Sequence, residues 1–463
     1  MLSLKKSFDP LKQRFGPWSF YREVLAVALP VMMQQFIMSM VSLIDNFMVA
    51  GLGDVSMAAV NVTNHLFFVY IVMINVICQA GGIYIAQFKG ADDSEGMKHA
   101  FRFKVIFAVT MAMAVFIASR SFSSPLIAMM TTANAAQNEI VSVGSRYLKL
   151  ISWTFLPTAI SSSIGTCFRE TARPKIPLII SIFATIVNTA GNWILIYGNL
   201  GAPRLEVEGA AYATIIARLF ELCVFVIYTA WDRAPFFTVR IFNIHKKLIK
   251  EILLKSSMIF VSELSWISSE TIMIAMYNRR GGAEVVAGMA AGWTIANLFF
   301  ILFGGVWTAS AILVGGTLGS GRLDEARQRS TWLKSGSVVA GVIIALPGAA
   351  VSALLIPLVF SNLSPEARAN CFGLVLVILV YLPLWGLLNT QFAISRAGGD
   401  TAMGMYADCL VNTFLFVPGA FILSYLTTIA PVPMFALLKL SDFAKYFICR
   451  HLMRKERWVR NLT

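Results

Sequence analysis

Twelve stretches of this chain are long and apolar enough to cross a lipid bilayer, and no other feature limits its fold so severely. Spanning the hydrocarbon core takes about 20 mostly apolar residues, because a helix rises only about 1.5 Å per residue. By that measure spans are expected near 24–49, 57–86, 103–122, 146–168, 176–199, 209–231, 252–277, 285–314, 333–358, 372–394, 402–426 and 430–449. The last is interrupted by Lys439, Asp442 and Lys445. Backbone polar groups in lipid must be satisfied within their own segment, so runs of this kind form helices. Composition agrees: 57% of residues are apolar, only 13% are charged, and mean hydropathy is +0.71. A soluble domain is nearer a quarter charged and could not bury so much apolar surface.

Most of the 38 Lys and Arg fall in the two tails and in the loops after spans 2, 4, 6, 8 and 10. The opposite loops hold only Arg120, Arg146, Lys149, Arg204, Arg279, Arg280 and Arg368. This asymmetry predicts an even number of spans, with both termini cytoplasmic in a cytoplasmic (inner) membrane. The net charge of +14 then reports topology, not a nucleic-acid surface. The six cysteines are scattered, with no CxxC pair and no Cys/His cluster, so neither a disulfide framework nor a zinc site is expected. Residues 1–21 lack the apolar core of a cleavable signal and read as a cytoplasmic tail.

The two halves echo each other. NVTNHLFF (61–68) pairs with WTIANLFF (293–300), and AQFKGADDSEGMKHA (86–100) pairs with GGTLGSGRLDEARQR (315–329). A Val-Asn-Thr triplet occurs at 187–189 and again at 411–413. The expected organisation is an amino-terminal six-helix lobe over 1–231, a cytoplasmic linker over 232–250 and a carboxy-terminal six-helix lobe over 251–463. Six spans per half give both halves one orientation, so a pseudo-twofold axis along the membrane normal is expected, with a cleft between the lobes.

Charged and polar side chains inside spans are costly and mark function by default. Asp45 lies late in span 1 among Val41, Leu43, Ile44, Phe47 and Met48. Withdrawing a carboxyl group from water favours its neutral form, the property that proton exchange needs. The competing reading is a capped structural Asp near the outer interface. Asn188 and Asn192, spaced i,i+4, share a face of span 5, and either line a site or bond neighbouring helices. Gln34, Asn61 and Asn64 make spans 1 and 2 polar and are expected to line a solvated cavity. On span 7, Glu263 and Glu270 are two turns apart with Trp266 between them, as a cation-attracting wall or as plain packing. Asp408 in span 11 has Asn412 as its i+4 face-mate. Arg218 and Glu221 are expected to form an i,i+3 ion pair.

The whole pattern resembles the multidrug and toxic compound extrusion (MATE) family, nearer its DinF-like than its NorM-like branch. The resemblance rests on PVMMQQFIMSMVSLIDNFMVAGLG (30–53), RETARPKIPLIISIFATIVNTAGNWILIYG (169–198), VEGAAYATIIARLFE (207–221), VGGTLGSGRLDEA (314–326), VNTFLFVPGAF (411–421) and KERWVRNL (455–462). It implies a secondary antiporter exporting small amphiphilic or cationic compounds against inward proton or sodium flow, by rocking of two lobes. It further implies that Asp45, Asn188, Asn192 and Thr214 contact the coupling ion. Some relatives carry a second carboxylate where Asn192 stands, which favours protons here. The NorM-like branch uses carboxylates in spans 7 and 10. Neither Glu263 nor Glu270 falls at that position, and 372–394 contains no acid. The expected partners are small-molecule substrates and membrane lipids, with no nucleic acid, no organic cofactor and no metal, for a monomer.

Other classes fit less well. GGTLGSGR (315–322) lacks the Lys and hydroxyl of a phosphate-binding loop, which argues against an ATP-driven pump. The four histidines are dispersed, with no HExxH or GxSxG, so no enzyme is expected. A flippase for lipid-linked precursors calls for a basic cavity, whereas the intramembrane charges read as mainly acidic.

Overall fold

The computed structural model describes residues 14–131, 137–243 and 245–463. Residues 1–13 of the expected tail and Ile244 of the expected linker lie outside the described residues. All regular structure among the described residues is helical: α1 (Trp18–Ala50), α2 (Asp54–Gly90), α3 (Ser94–Ser121), α4 (Ser123–Met130), α5 (Gln137–Ile151), α6 (Phe155–Glu170), α7 (Lys175–Tyr197), α8 (Glu206–Trp231), α9 (Lys246–Asn278), α10 (Ala283–Gly319), α11 (Leu323–Val359), α12 (Pro365–Ala397), α13 (Ala402–Leu426), α14 (Pro431–Lys439) and α15 (Ser441–Arg454).

Ten of these are long and apolar enough to span a membrane. The other two expected spans are broken helices. Residues 146–168 run from α5 through a 3-10 turn at Ser152–Thr154 into α6, and 430–449 is divided between α14 and α15 at Leu440. Observed helices overrun the apolar runs, most clearly in α11, which begins at Leu323 where 333 was expected. The apolar run ends at the lipid boundary, whereas backbone hydrogen bonding continues into the polar region. Proline interrupts the hydrogen-bond ladder at Pro30 in α1, Pro347 and Pro357 in α11 and Pro383 in α12. Pro418 stands two residues past the end of a π-helical turn at Asn412–Phe416 in α13.

The chain divides into two compact units. One comprises 30–89 and 93–256, and the other 1–29, 90–92 and 257–463. These bounds differ from the 231/251 division read from the sequence. The first turns of α1 group with the carboxy-terminal unit, where Phe20 packs edge-on against Trp332 at 5.1 Å and the Tyr21 hydroxyl donates to the Trp332 carbonyl at 3.3 Å. Reciprocally, the first turns of α9 group with the amino-terminal unit, where Tyr84 donates to Glu251 at 3.4 Å and Lys255 lies over the Tyr84 ring at 5.0 Å. Hydropathy locates lipid, not neighbours, so the sequence gives no sign of this exchange.

Within the amino-terminal unit, Lys104 on α3 is fully buried and donates to Glu170 at 2.5 Å, to Thr166 at 2.9 Å and to Cys167 Sγ at 3.6 Å. Gly81 and Gly82 on α2 make room for this pair. A Cβ at Gly81 would stand 2.6 Å from Lys104 Cγ, and one at Gly82 would overlap the Glu170 carboxylate. Gly82→Ala is therefore expected to pry the buried pair apart at a cost of roughly 3–5 kcal/mol, as for losing one partner of such a pair. A denaturant titration of purified protein showing wild-type stability would refute it.

At the polar end of α8, Arg173 grips Asp232 with two hydrogen bonds, that from Nη2 measuring 2.8 Å. The Arg173 bonds hold the Asp232 carboxyl below the usual carboxylate range. A lowered folded value means the stabilisation is complete above the unfolded value of about 3.9 and disappears as pH falls through the folded one. Asp232→Asn is expected to cost no more than about 1 kcal/mol at neutral pH, because the pair is partly solvated. Thermal melts of mutant and wild type should converge in acid.

Candidate coupling site in the amino-terminal lobe

Two hydrogen bonds fasten α1 to α7 at matched heights. Gln34 Nε2 donates to Ser181 Oγ at 2.7 Å, and Asn192 Nδ2 donates to Asp45 Oδ1 at 2.7 Å. From Gln34 to Asp45, and from Ser181 to Asn192, is the same three-turn step, so two parallel helices meet twice in register. One turn before Asn192, Asn188 Nδ2 donates to Thr214 Oγ1 at 3.3 Å and brings in α8. The four residues expected at an ion site thus form one polar seam across three helices. Asn188 and Asn192 are buried and Asp45 is half-buried.

A cavity of about 100 Å³ adjoins the seam. Asp45, Asn188 and Thr214 line it together with Met38, Val41, Ser42, Ser181, Ala184, Thr185, Ala217, Arg218 and Glu221. Arg218 Nη1 donates to Glu221 Oε2 at 2.7 Å. The expected ion pair forms, midway along α8 on the cavity wall. Gln34 is committed to the α1–α7 contact, Asn61 is half-buried and Asn64 is exposed; none of these three lines the cavity. Oxygen donors from Asp45, Asn188, Asn192 and Thr214 are of the hard type that holds Na⁺, and Asn192 Oδ1 is buried without a hydrogen-bond partner. Among the described residues, no cluster of three or more His, Cys, Asp or Glu side chains is arranged for a metal ion.

The acids of the carboxy-terminal lobe are placed differently. Glu263 accepts from Arg396 Nη1 at 3.1 Å, and that guanidinium lies 4.7 Å from the Trp307 ring centre. Glu270 pairs with Lys439, whose ammonium is ringed by Phe416, Phe435 and Trp385. Asp408 Oδ1 faces Lys445 Nζ at 3.1 Å, while its Oδ2 accepts from Ser262 at 2.6 Å. Lys445 also approaches Asp442 at 3.7 Å, and Asp442 accepts from Trp385 Nε1 at 2.7 Å. Trp266, between the two glutamates, is 45% exposed. Each acid read as an attractor for cations therefore already holds one, which corrects the picture of a mainly acidic membrane interior. In the sequence Lys439 and Lys445 stand out only as interruptions of the last apolar run. For Lys445 the signal is its i,i+3 spacing from Asp442 on one face of α15.

The MatE family profile matches residues 30–194 and 258–422, the repeated halves. This chain belongs to the MATE family of transporters. It is similar to the probable multidrug resistance protein NorM of Bradyrhizobium diazoefficiens (23% identity, 94% of each chain) and to the probable multidrug resistance protein YoeA of Bacillus subtilis (22% identity, 92% of this chain and 91% of that one). Its fold matches the Vibrio cholerae MATE transporter VcmN, with a TM-score of 0.85 at 15% identity over 96% of this chain and 99% of that one. It also matches a MOP-superfamily transporter from Pyrococcus furiosus, with a TM-score of 0.81 at 17% identity over 98% and 99%. The MATE chain is a multipass membrane protein with twelve spans in two lobes, α5–α6 and α14–α15 supplying the two that hydropathy marks weakly.

Proposed function

We propose that this MATE transporter is a secondary antiporter that exports small amphiphilic or cationic compounds in exchange for protons, with Asp45 as the proton-carrying group. The observation that carries the reading is a contrast in partners. Among the described residues Asp45 makes no ion pair and opens onto a cavity, whereas Glu263, Glu270 and Asp408 are each held by a resident cation. A carboxyl group bonded only by a neutral amide is free to gain and lose a proton; one clamped by a buried base is not. Protonation removes the charge that favours a cationic cargo, so proton entry and cargo release become alternatives, which alternating access turns into exchange.

The location proposed is the cytoplasmic membrane, with both termini cytoplasmic. A flippase for pyrophosphate-bearing lipids fits less well, because two acids and one base line the amino-lobe cavity. In proteoliposomes carrying a fluorescent organic cation, an imposed proton gradient without sodium is expected to drive export. Export under a sodium gradient alone would transfer the coupling role to sodium at the same oxygen donors.

A further inference from the structure

We propose that Glu221 is a positioning residue that holds the Arg218 guanidinium away from Asp45, keeping the acid open to its proton. The proposal rests on the coupling role of Asp45 given above and concerns how that same site is kept free.

Thr214, Arg218 and Glu221 follow one another at i, i+4 and i+7, and so share the face of α8 that meets the cavity. Asp45 lines the same cavity from α1, and α7 brings only uncharged side chains to it. The long guanidinium thus has two acids within its cavity, and in a poorly solvated space an opposite charge is a strong attractor. It is bonded to Glu221 at 2.7 Å, while Asp45 receives the Asn192 amide instead.

The carboxy-terminal lobe holds a related i,i+3 pair that bonds differently, to an acid on α13, the counterpart of α7 rather than of α1. The Val-Asn-Thr triplets at 187–189 and 411–413 are 224 residues apart, and that step carries Arg218 and Glu221 onto Asp442 and Lys445. An i,i+3 ion pair recurs there with its polarity reversed. Its base lies nearer the acid of the neighbouring helix, Asp408 at 3.1 Å, than its own helical partner, Asp442 at 3.7 Å. That acid is neutralised by a resident cation. In the amino-terminal lobe the order Arg–Glu leaves the base on its own helix and the facing acid free. The carboxy-terminal lobe thus shows that the base of an i,i+3 pair can bond more closely to an acid on a neighbouring helix than to its own helical partner.

The test uses the full-length protein in proteoliposomes, with export of a fluorescent organic cation driven by a proton gradient. Glu221→Gln is expected to lower export about 10- to 100-fold, and Glu221→Asp to retain most of it. The double variant Arg218→Gln/Glu221→Gln, with neither charge, is expected to recover to within about threefold of wild type. A merely structural pair would not be rescued by deleting its second half. Full export by Glu221→Gln overturns the proposal. So does a double variant that stays inactive, folded or not, which also covers a single variant that fails to fold. The coupling role of Asp45 stands or falls separately: full export by Asp45→Asn would cancel it whatever the Glu221 variants do.

Discussion

Replacing Asp45 by Asn should abolish proton-driven export, with a loss of about 100-fold or more, while the protein remains folded. The substitution keeps the size and hydrogen-bonding reach of the side chain. Asn192 can still donate to an amide oxygen at position 45, so the α1–α7 contact that now measures 2.7 Å has a replacement. What disappears is the exchangeable proton. A 100-fold loss corresponds to about 2.7 kcal/mol, modest beside the cost of leaving a coupling step without its ion. Export should be measured together with a thermal melt, since the account requires transport to fail and stability to hold. Wild-type export by this variant would remove Asp45 from the mechanism.

Lys445→Met is expected to destabilise the protein severely. Lys445 is buried and stands between two buried carboxylates, Asp408 and Asp442. Methionine fills much of the volume but leaves both acids without their cation, and removing one partner from a buried pair costs roughly 3–5 kcal/mol. Lys445→Met/Asp408→Asn should recover part of that loss, because one of the stranded charges is gone; the recovered part measures the coupling between the two side chains. Unfolding of the purified variants in denaturant gives the comparison. Equal stability of Lys445→Met and wild type would mean that the ammonium does not hold this lobe together.

The difference between the lobes explains how far the sequence could be read. Apolar runs located the ten clear spans because lipid imposes a length and a composition on every crossing helix. They marked α14–α15 poorly for a physical reason. Lys439, Asp442 and Lys445 are tolerated at membrane depth by partners on α9, α12 and α13, which a hydropathy window along one segment cannot sense. Periodicity correctly put Glu263 and Glu270 on one face of α9. It could not say that Arg396, 133 residues later in the chain, would be waiting for the first of them. On the amino-terminal side the i,i+4 spacing of Asn188 and Asn192 did foreshadow a shared face. The contact of Asn192 with Asp45, and the cavity that turns the Arg218–Glu221 pair into a neighbour of both, are tertiary facts. Local pattern names the unusual residues; their meaning depends on what the opposing helix brings.

The central claim is that Asp45 hands a proton across as cargo leaves. Its most direct test is proton movement itself, followed with a pH-sensitive dye in sodium-free proteoliposomes when a cationic cargo is added to one side. The account predicts a cargo-dependent proton flux in the opposite direction for the wild type and none for Asp45→Asn. Cargo export unaccompanied by proton movement, or the same flux in both proteins, would contradict it.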